Sequence, residues 1–234
     1  MPKTKKVSRK ELLKEEDEFL LFSQRLMRGA IQYRATIAWG VAVFFALILV
    51  VAGYRLISNR AENNAFALLR SATETYERVL TAQGPVKALE TVTEDFERIL
   101  KKYSGRTAGK MARILFAEMA YQGGDPDMAI TLYQQALNEV SGRPVLEGQI
   151  LSGLGYAHEA KKDYRNAVDY FERVAAGKEY ILRDEALFQM GRLYGLLEQP
   201  DLSIAAFKRI TDDYPESIYA SIARERTAMP LGNS

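Results

Sequence analysis

Residues 148–181 and 184–217 of this chain align without a gap, and the match falls on apolar and small positions. Leu151 meets Leu187, Leu154 meets Met190, Gly155 meets Gly191, Ala167 meets Ser203, Phe171 meets Phe207 and Val174 meets Ile210. A third stretch, 110–143, fits the same frame through Phe116, Ala117, Ala129, Tyr133 and Ala136, and a fourth, from Thr73, keeps Phe96 and Ile99. A period of about 34 residues is the mark of stacked supersecondary units. It constrains every other fold argument, because a unit of that length cannot bury its apolar face alone and must stack on its neighbours.

Within each unit the pattern predicts two antiparallel helices. Gly155, Gly191 and Ala117 on the first helix, and Ala167, Ala129 and Ser203 on the second, are small enough to let the helices cross closely. Phe171, Phe207 and Tyr133 are read as plugs against the next helix. The second helices start in the same phase, at Asp125-Pro126, Asp163 and Gln199-Pro200. Asp can cap free amides there, and Pro is tolerated at the first helical position. Gly123-Gly124 and Ser141-Gly142 fall in inter-helix turns, and Tyr214-Pro215 ends the last full unit.

These residues resemble the tetratricopeptide repeat (TPR) family, whose motif runs Trp/Leu–x2–Leu–Gly–x2–Tyr and then Ala, Phe, Ala and Pro. The last unit has Leu187, Met190, Gly191, Tyr194, Phe207 and Pro215 at those places and departs at Ser203 and Ile210. The unit before it lacks the Pro and has His158 where the motif has Tyr, a packing position. The resemblance covers 73–217 and implies an α-solenoid of about three to four helix pairs that binds other proteins. TPR superhelices hold peptides in the groove lined by their first helices. In this frame the candidate groove residues are Ile114, Glu118, Tyr121, Ser152, Tyr156, Glu159, Phe188 and Arg192. The family's chaperone-tail binders clamp a terminal carboxylate with Lys and Asn; here the matching positions are Ser152, Tyr156, Phe188 and Arg192, so that clamp is absent. The mixed groove suggests an extended or helical segment held by aromatic contacts. The other reading is that these side chains only pack or face water.

Ahead of the repeats, Ala35 to Tyr54 run for twenty residues without a charge. As a helix they would be about 30 Å long, the thickness of a hydrocarbon core. Arg34 and Arg55 close the two ends, and Tyr33, Trp39 and Tyr54 lie near them, where amphipathic rings favour the interface. The run shows no polar stripe of the kind a buried core helix carries. The leader before it is long for a signal-peptide n-region, and no Ala-x-Ala cleavage site is evident. The whole is therefore read as all-α: a transmembrane helix over 35–57, a lead-in helix over 58–82, TPR repeats over 83–217, and a capping helix and tail over 218–234. The lead-in helix places Ala65, Phe66, Leu69, Ala72, Tyr76, Val79 and Leu80 at helical spacing. The capping helix is expected over 217–228.

Charge sets the expected orientation. Arg25, Arg28 and Arg34 before the span are matched by Arg55, Arg60 and Arg70 after it. The full tail adds Lys3, Lys5, Lys6, Arg9, Lys10 and Lys14, so the positive-inside rule keeps the tail in the cytoplasm and exports the large domain. Localisation is thus read as a bacterial inner membrane, with the N-terminus cytoplasmic and the repeats periplasmic. Within the tail, Ser8-Arg9-Lys10-Glu11 forms a capping box. Leu12, Leu13, Phe19, Leu20, Leu26 and Met27 follow on one helical face, interrupted by Glu15, Glu16, Asp17 and Glu18. An amphipathic helix over 9–28 is expected, either as a dock for a partner or the inner leaflet or as an ordinary topogenic tail that orders only weakly.

Several chemistries find no support. The chain has no cysteine, which removes disulfides, thiolate metal sites, a cysteine nucleophile and a lipidated Cys anchor. It has one histidine, His158, too few for a His-based metal cluster. The net charge of +2 is not that of a nucleic-acid-binding polycation. No phosphate-cradling Gly motif is present, and Asp212-Asp213 stand at a helix end as solvated charges. No enzymatic activity, cofactor, metal, small-molecule substrate or nucleic-acid partner is expected. In layout the chain resembles the YfgM-like envelope proteins of bacteria: a short cytoplasmic tail, one span and a periplasmic repeat domain. That resemblance implies an accessory of the protein-export translocon, with the translocon, periplasmic chaperones or exported chains as partners. A scaffold for another envelope machine, in cell-wall synthesis, outer-membrane assembly or secretion, is the other reading.

Overall fold

The computed structural model describes residues 24, 26–28, 32–177 and 181–228. Among the described residues the regular structure is entirely helical. In chain order the helices are α1 (Arg34–Gln83), α2 (Pro85–Tyr103), α3 (Thr107–Gln122), α4 (Pro126–Leu137), α5 (Pro144–Ala160), α6 (Tyr164–Ala176), α7 (Arg183–Leu196), α8 (Pro200–Asp213) and α9 (Ala220–Ala228). The chain divides into two units, Met1–Arg60 and Ala61–Ser234. The tail helix expected over 9–28 lies outside the described residues except at 24 and 26–28, which are helical. Residues 229–234 of the expected C-terminal tail also lie outside them.

In the first unit the apolar part of α1 is bare. Trp39, Leu49 and Tyr54 are each more than 70% exposed, and Phe44, Phe45, Leu47 and Val50 are exposed beside them. By length and composition this helix can cross a membrane, and none of its most apolar stretch is buried.

The second unit stacks helix pairs in sequence: the later part of α1 with α2, then α3 with α4, α5 with α6, and α7 with α8, followed by α9. Ala65, Leu69, Ala72 and Tyr76 of α1 are buried as their spacing requires. Leu69, Ala72 and Tyr76 share a core with Ala88, Val92 and Phe96 of α2, so the lead-in helix supplies the first helix of the first pair. Phe66, read as part of that stripe, is 40% exposed. It follows Ala65 by one residue, which turns it about 100° away from the packed line. Phe96 stacks on Phe116 at 5.1 Å between centroids, joining α2 to α3.

Two large clusters of buried side chains run through the stack, and a small one of Ala65, Tyr103 and Ala108 joins α1, α2 and α3. The first ends with Ile150, Leu154 and Ala157 of α5, and the second begins with Leu151 on the same helix. Helix α5 therefore packs toward both sides. An ion pair of the buried Arg113 with the half-buried Glu139 ties α3 to the segment after α4. Helix α9 starts at Ala220 rather than at the expected 217, because Ser217 serves as its anchor. The Ser217 hydroxyl donates to Asp184 at 2.6 Å and accepts from the Tyr219 amide at 3.1 Å.

Within a pair, the close crossing is made by glycine against an aromatic ring. A Cβ on Gly155 would lie 2.7 Å from Phe171, and one on Gly191 would lie 2.7 Å from Phe207. Phe171 and Phe207 thus seat against their own unit's first helix. Tyr133 reaches forward instead, where a Cβ on Gly153 of the next unit would fall 2.5 Å from its ring. Ser203, which replaces the motif's Ala, donates its hydroxyl to the Gly191 carbonyl at 2.6 Å and so bonds across the same crossing. The turns between the paired helices share a left-handed residue in the same phase: Gly124 at φ 82°, Lys162 at φ 62° and Glu198 at φ 57°. Only the first of these is a residue type to which that conformation is freely open.

Two stability changes follow. Gly155→Ala is expected to destabilise by up to about 2 kcal/mol in urea unfolding, since overpacking against Phe171 outweighs the gain in helix propensity. An unchanged midpoint would show that the crossing can open. Lys162→Gly and Glu198→Gly are each expected to stabilise by up to about 1 kcal/mol, because relief of the left-handed strain exceeds the added entropy of the unfolded chain.

Candidate partner-binding face

Helices α3, α5 and α7 are the first helices of three successive pairs, and their equivalent positions bring the candidate groove residues into register. A cavity of about 560 Å³ opens over them. Of the eight candidates, Ile114, Glu118, Tyr121, Ser152 and Tyr156 line it. Leu115, Tyr133, Gln149, Gly153, Leu182 and Glu185 complete its wall, and none of these was singled out from the sequence as a groove residue.

The other three candidates are held differently. Glu159 and Arg192 form an ion pair across α5 and α7 at 2.5 Å. Phe188 is packed, with its ring stacked on Tyr219 at 4.7 Å and set edge-on to Phe207 at 5.9 Å.

The polar groups of the face form two hydrogen-bonded chains. In one, Tyr133 donates to Glu118 Oε2 at 2.7 Å, Gln122 donates to Glu118 Oε1 at 2.8 Å, and Tyr76 donates to Gln122 at 3.1 Å. In the other, Tyr156 donates to Glu185 at 2.5 Å, and Gln189 donates to the Tyr156 oxygen at 3.1 Å. Arg192 donates in turn to the Gln189 oxygen at 2.8 Å and to Glu159. Tyr121 lies between the chains, its ring centroid 6.3 Å from that of Tyr156. Tyr156 also meets Phe171 edge-on at 5.1 Å, so the plug of the helix crossing supports the wall of the cavity.

Burial raises the pKa values of Tyr133 and Tyr156, and the carboxylates to which they donate, Glu118 and Glu185, raise them further. Tyr121 is raised by burial and then by Glu159 and Glu118. The three phenols therefore stay neutral through the ordinary pH range, and Tyr133 and Tyr156, as donors, hold Glu118 and Glu185 in fixed orientations.

His158 has a structural role. Its Nδ1 donates to Asp163 Oδ2 at 2.9 Å, and its ring stacks on Tyr170 at 5.3 Å. Of the residues read as potential caps, Asp125 accepts from the Met128 amide at 2.9 Å. Asp163 directs its carboxylate to the side chains of Asn166, at 2.7 Å, and His158. The hydrogen bond from Asn166, followed by that from His158, holds the Asp163 pKa below the usual carboxylate value. Among the described residues, no group of three or more His, Cys, Asp or Glu could hold a metal ion.

Comparisons with known proteins agree with this geometry. A profile described as a tetratricopeptide repeat-like domain matches residues 31–145. Two tetratricopeptide repeat profiles match 150–182 and 185–217. No curated protein sequence matches the chain significantly. Among solved structures, TPR-like repeats assigned to a kinesin light chain of Podosopora anserina superpose with a TM-score of 0.56 at 16% identity, covering 68% of this chain and 83% of that one. A tetratricopeptide repeat protein from Parabacteroides merdae superposes with a TM-score of 0.53 at 16% identity, covering 69% of this chain and 59% of its own. These structures share the fold. The profile matches and the stacked helix pairs make this chain a tetratricopeptide-repeat protein, a protein–protein interaction module.

The Asp163 carboxylate gives a pH test. Its pKa is lowered on folding, so its contribution is present above the unfolded value and is lost as pH falls through the folded one. Asp163→Asn is expected to lower the urea midpoint at neutral pH and to flatten the fall in stability below about pH 4. Parallel pH profiles for the two proteins would show that this carboxylate contributes nothing.

Proposed function

We propose that this chain is a single-span bacterial inner-membrane protein whose TPR domain stands in the periplasm and assists protein export through contact with translocon subunits, chaperones or emerging chains. The cavity over α3, α5 and α7 carries the binding part of this reading, since it combines aromatic walls with oriented polar groups, as partner recognition requires. The bare apolar stretch of α1 supports the membrane part, because a row of exposed Phe, Leu and Val is unfavourable in water and stable in lipid. The basic tail supports the orientation, and the absence of cysteine suits an oxidising compartment.

Topology and partner can be measured separately. Because the chain has no native cysteine, Glu172→Cys on the exposed face of α6 is a single clean label site. It is expected to react with a membrane-impermeant maleimide once the outer membrane is made permeable; reaction only after lysis of the inner membrane would reverse the topology. A photocrosslinker at Gln149, on the cavity wall, is expected to trap translocon subunits, periplasmic chaperones or exported chains. A single recurrent wall or outer-membrane component in the adducts would make the protein a scaffold for that machine instead.

A further inference from the structure

Among the described residues, the cavity over α3, α5 and α7 is lined by two carboxylates, Glu118 and Glu185, and by no cationic side chain. Neutral donors orient both: Tyr133 and Gln122 on Glu118, and Tyr156 on Glu185. A neutral donor fixes a carboxylate without cancelling its charge, and an ionised carboxyl has room for about four hydrogen bonds. Arg192, linked to Tyr156 through Gln189, is already engaged by Glu159.

Ser152 is an independent observation. It lines the cavity and is only 6% exposed, yet its hydroxyl has no hydrogen-bond partner among the described residues. Thr81, Thr91, Thr93 and Thr131 all donate to the carbonyl four residues back in their helices. Ser152 makes no such bond, so its hydroxyl opens into the cavity with its hydrogen-bonding capacity available to a ligand.

We infer that this cavity receives a cationic side chain, an arginine or lysine, from an extended segment of the partner protein. Glu118 and Glu185 balance its charge, and the faces of Tyr121 and Tyr156 offer it π surface. Ser152 accepts one of its protons or that of the neighbouring backbone amide. This reverses the charge of a carboxylate-binding clamp, and it rests on the reading of this face as the partner-binding surface.

The test uses the full chain in detergent micelles with ring-labelled tyrosine, followed by NMR. N-acetyl-arginine-amide at millimolar concentration is expected to shift the Tyr121, Tyr133 and Tyr156 signals. N-acetyl-citrulline-amide, the neutral isostere, is expected to bind about tenfold more weakly or worse. The double variant Glu118→Gln/Glu185→Gln keeps an acceptor oxygen for each tyrosine and should therefore stay folded, which its thermal melt checks. It is expected to lose the arginine response. Equal response to the two probes, a full response in the double variant, or no response to either probe overturns the proposal. Crosslinking from Gln149 in cells separates this failure from that of the underlying reading. Adducts that persist in the double variant mean a partner held without a cationic anchor, whereas no adducts from the native chain mean that this face is not the binding surface.

Discussion

The close crossing of the two helices in each repeat is the constraint on which the rest of the domain depends. At Gly155 and Gly191 there is no room for a Cβ, because the rings of Phe171 and Phe207 occupy its place. The crossing fixes how far apart the paired helices stand, and so where the first helix of one pair can meet the next. That register brings equivalent positions, such as Glu118, Tyr156 and Arg192, onto one face. The Phe171 ring also supports Tyr156 directly, so the packing of the core and the shape of the cavity share a side chain.

The polar chains on that face follow from the same register. Tyr133 is buried and plugs toward Gly153, yet its hydroxyl reaches Glu118 on α3. Tyr156 on α5 reaches Glu185 on α7. Each tyrosine therefore joins apolar packing at one end to a carboxylate at the other, an amphipathic use that suits a ring with a polar tip. Because burial keeps these phenols protonated, they add no charge of their own to that of Glu118 and Glu185.

Much of this was legible in the sequence because it is periodic. The frame that aligned Gly155 with Gly191 and Phe171 with Phe207 located the helix pairs and the crossing. The residues that escaped it lie off the template. Glu185 and Gln149 stand near the starts of α7 and α5, outside the positions from which the groove was read, and Tyr133 was assigned to packing alone. Phe66 was grouped with an apolar stripe from which one residue of rotation separates it. Phe188 shares a phase with Ile114 and Ser152 but stacks on Tyr219, which the capping segment brings in beyond the last repeat. Lys162 and Glu198 occupy a left-handed turn position whose only sequence signal was the glycine at 124, two units earlier in the case of Glu198.

The sign of the cavity differs from what the chain's overall charge suggests. The protein is net positive, but the nine Lys and Arg of residues 1–34 account for that excess, while the remainder is slightly acidic. A surface of exposed, solvated carboxylates would be screened at physiological salt over about 8 Å and would discriminate poorly between partners. Glu118 and Glu185 differ in being oriented by tyrosines at the wall of a cavity, beside the largely buried Ser152. Charge held in such a place is less screened and acts over one side chain's reach. In the proposed reading it selects for a particular group on a partner rather than for a partner's net charge, which would let a short stack of repeats be specific without a large interface.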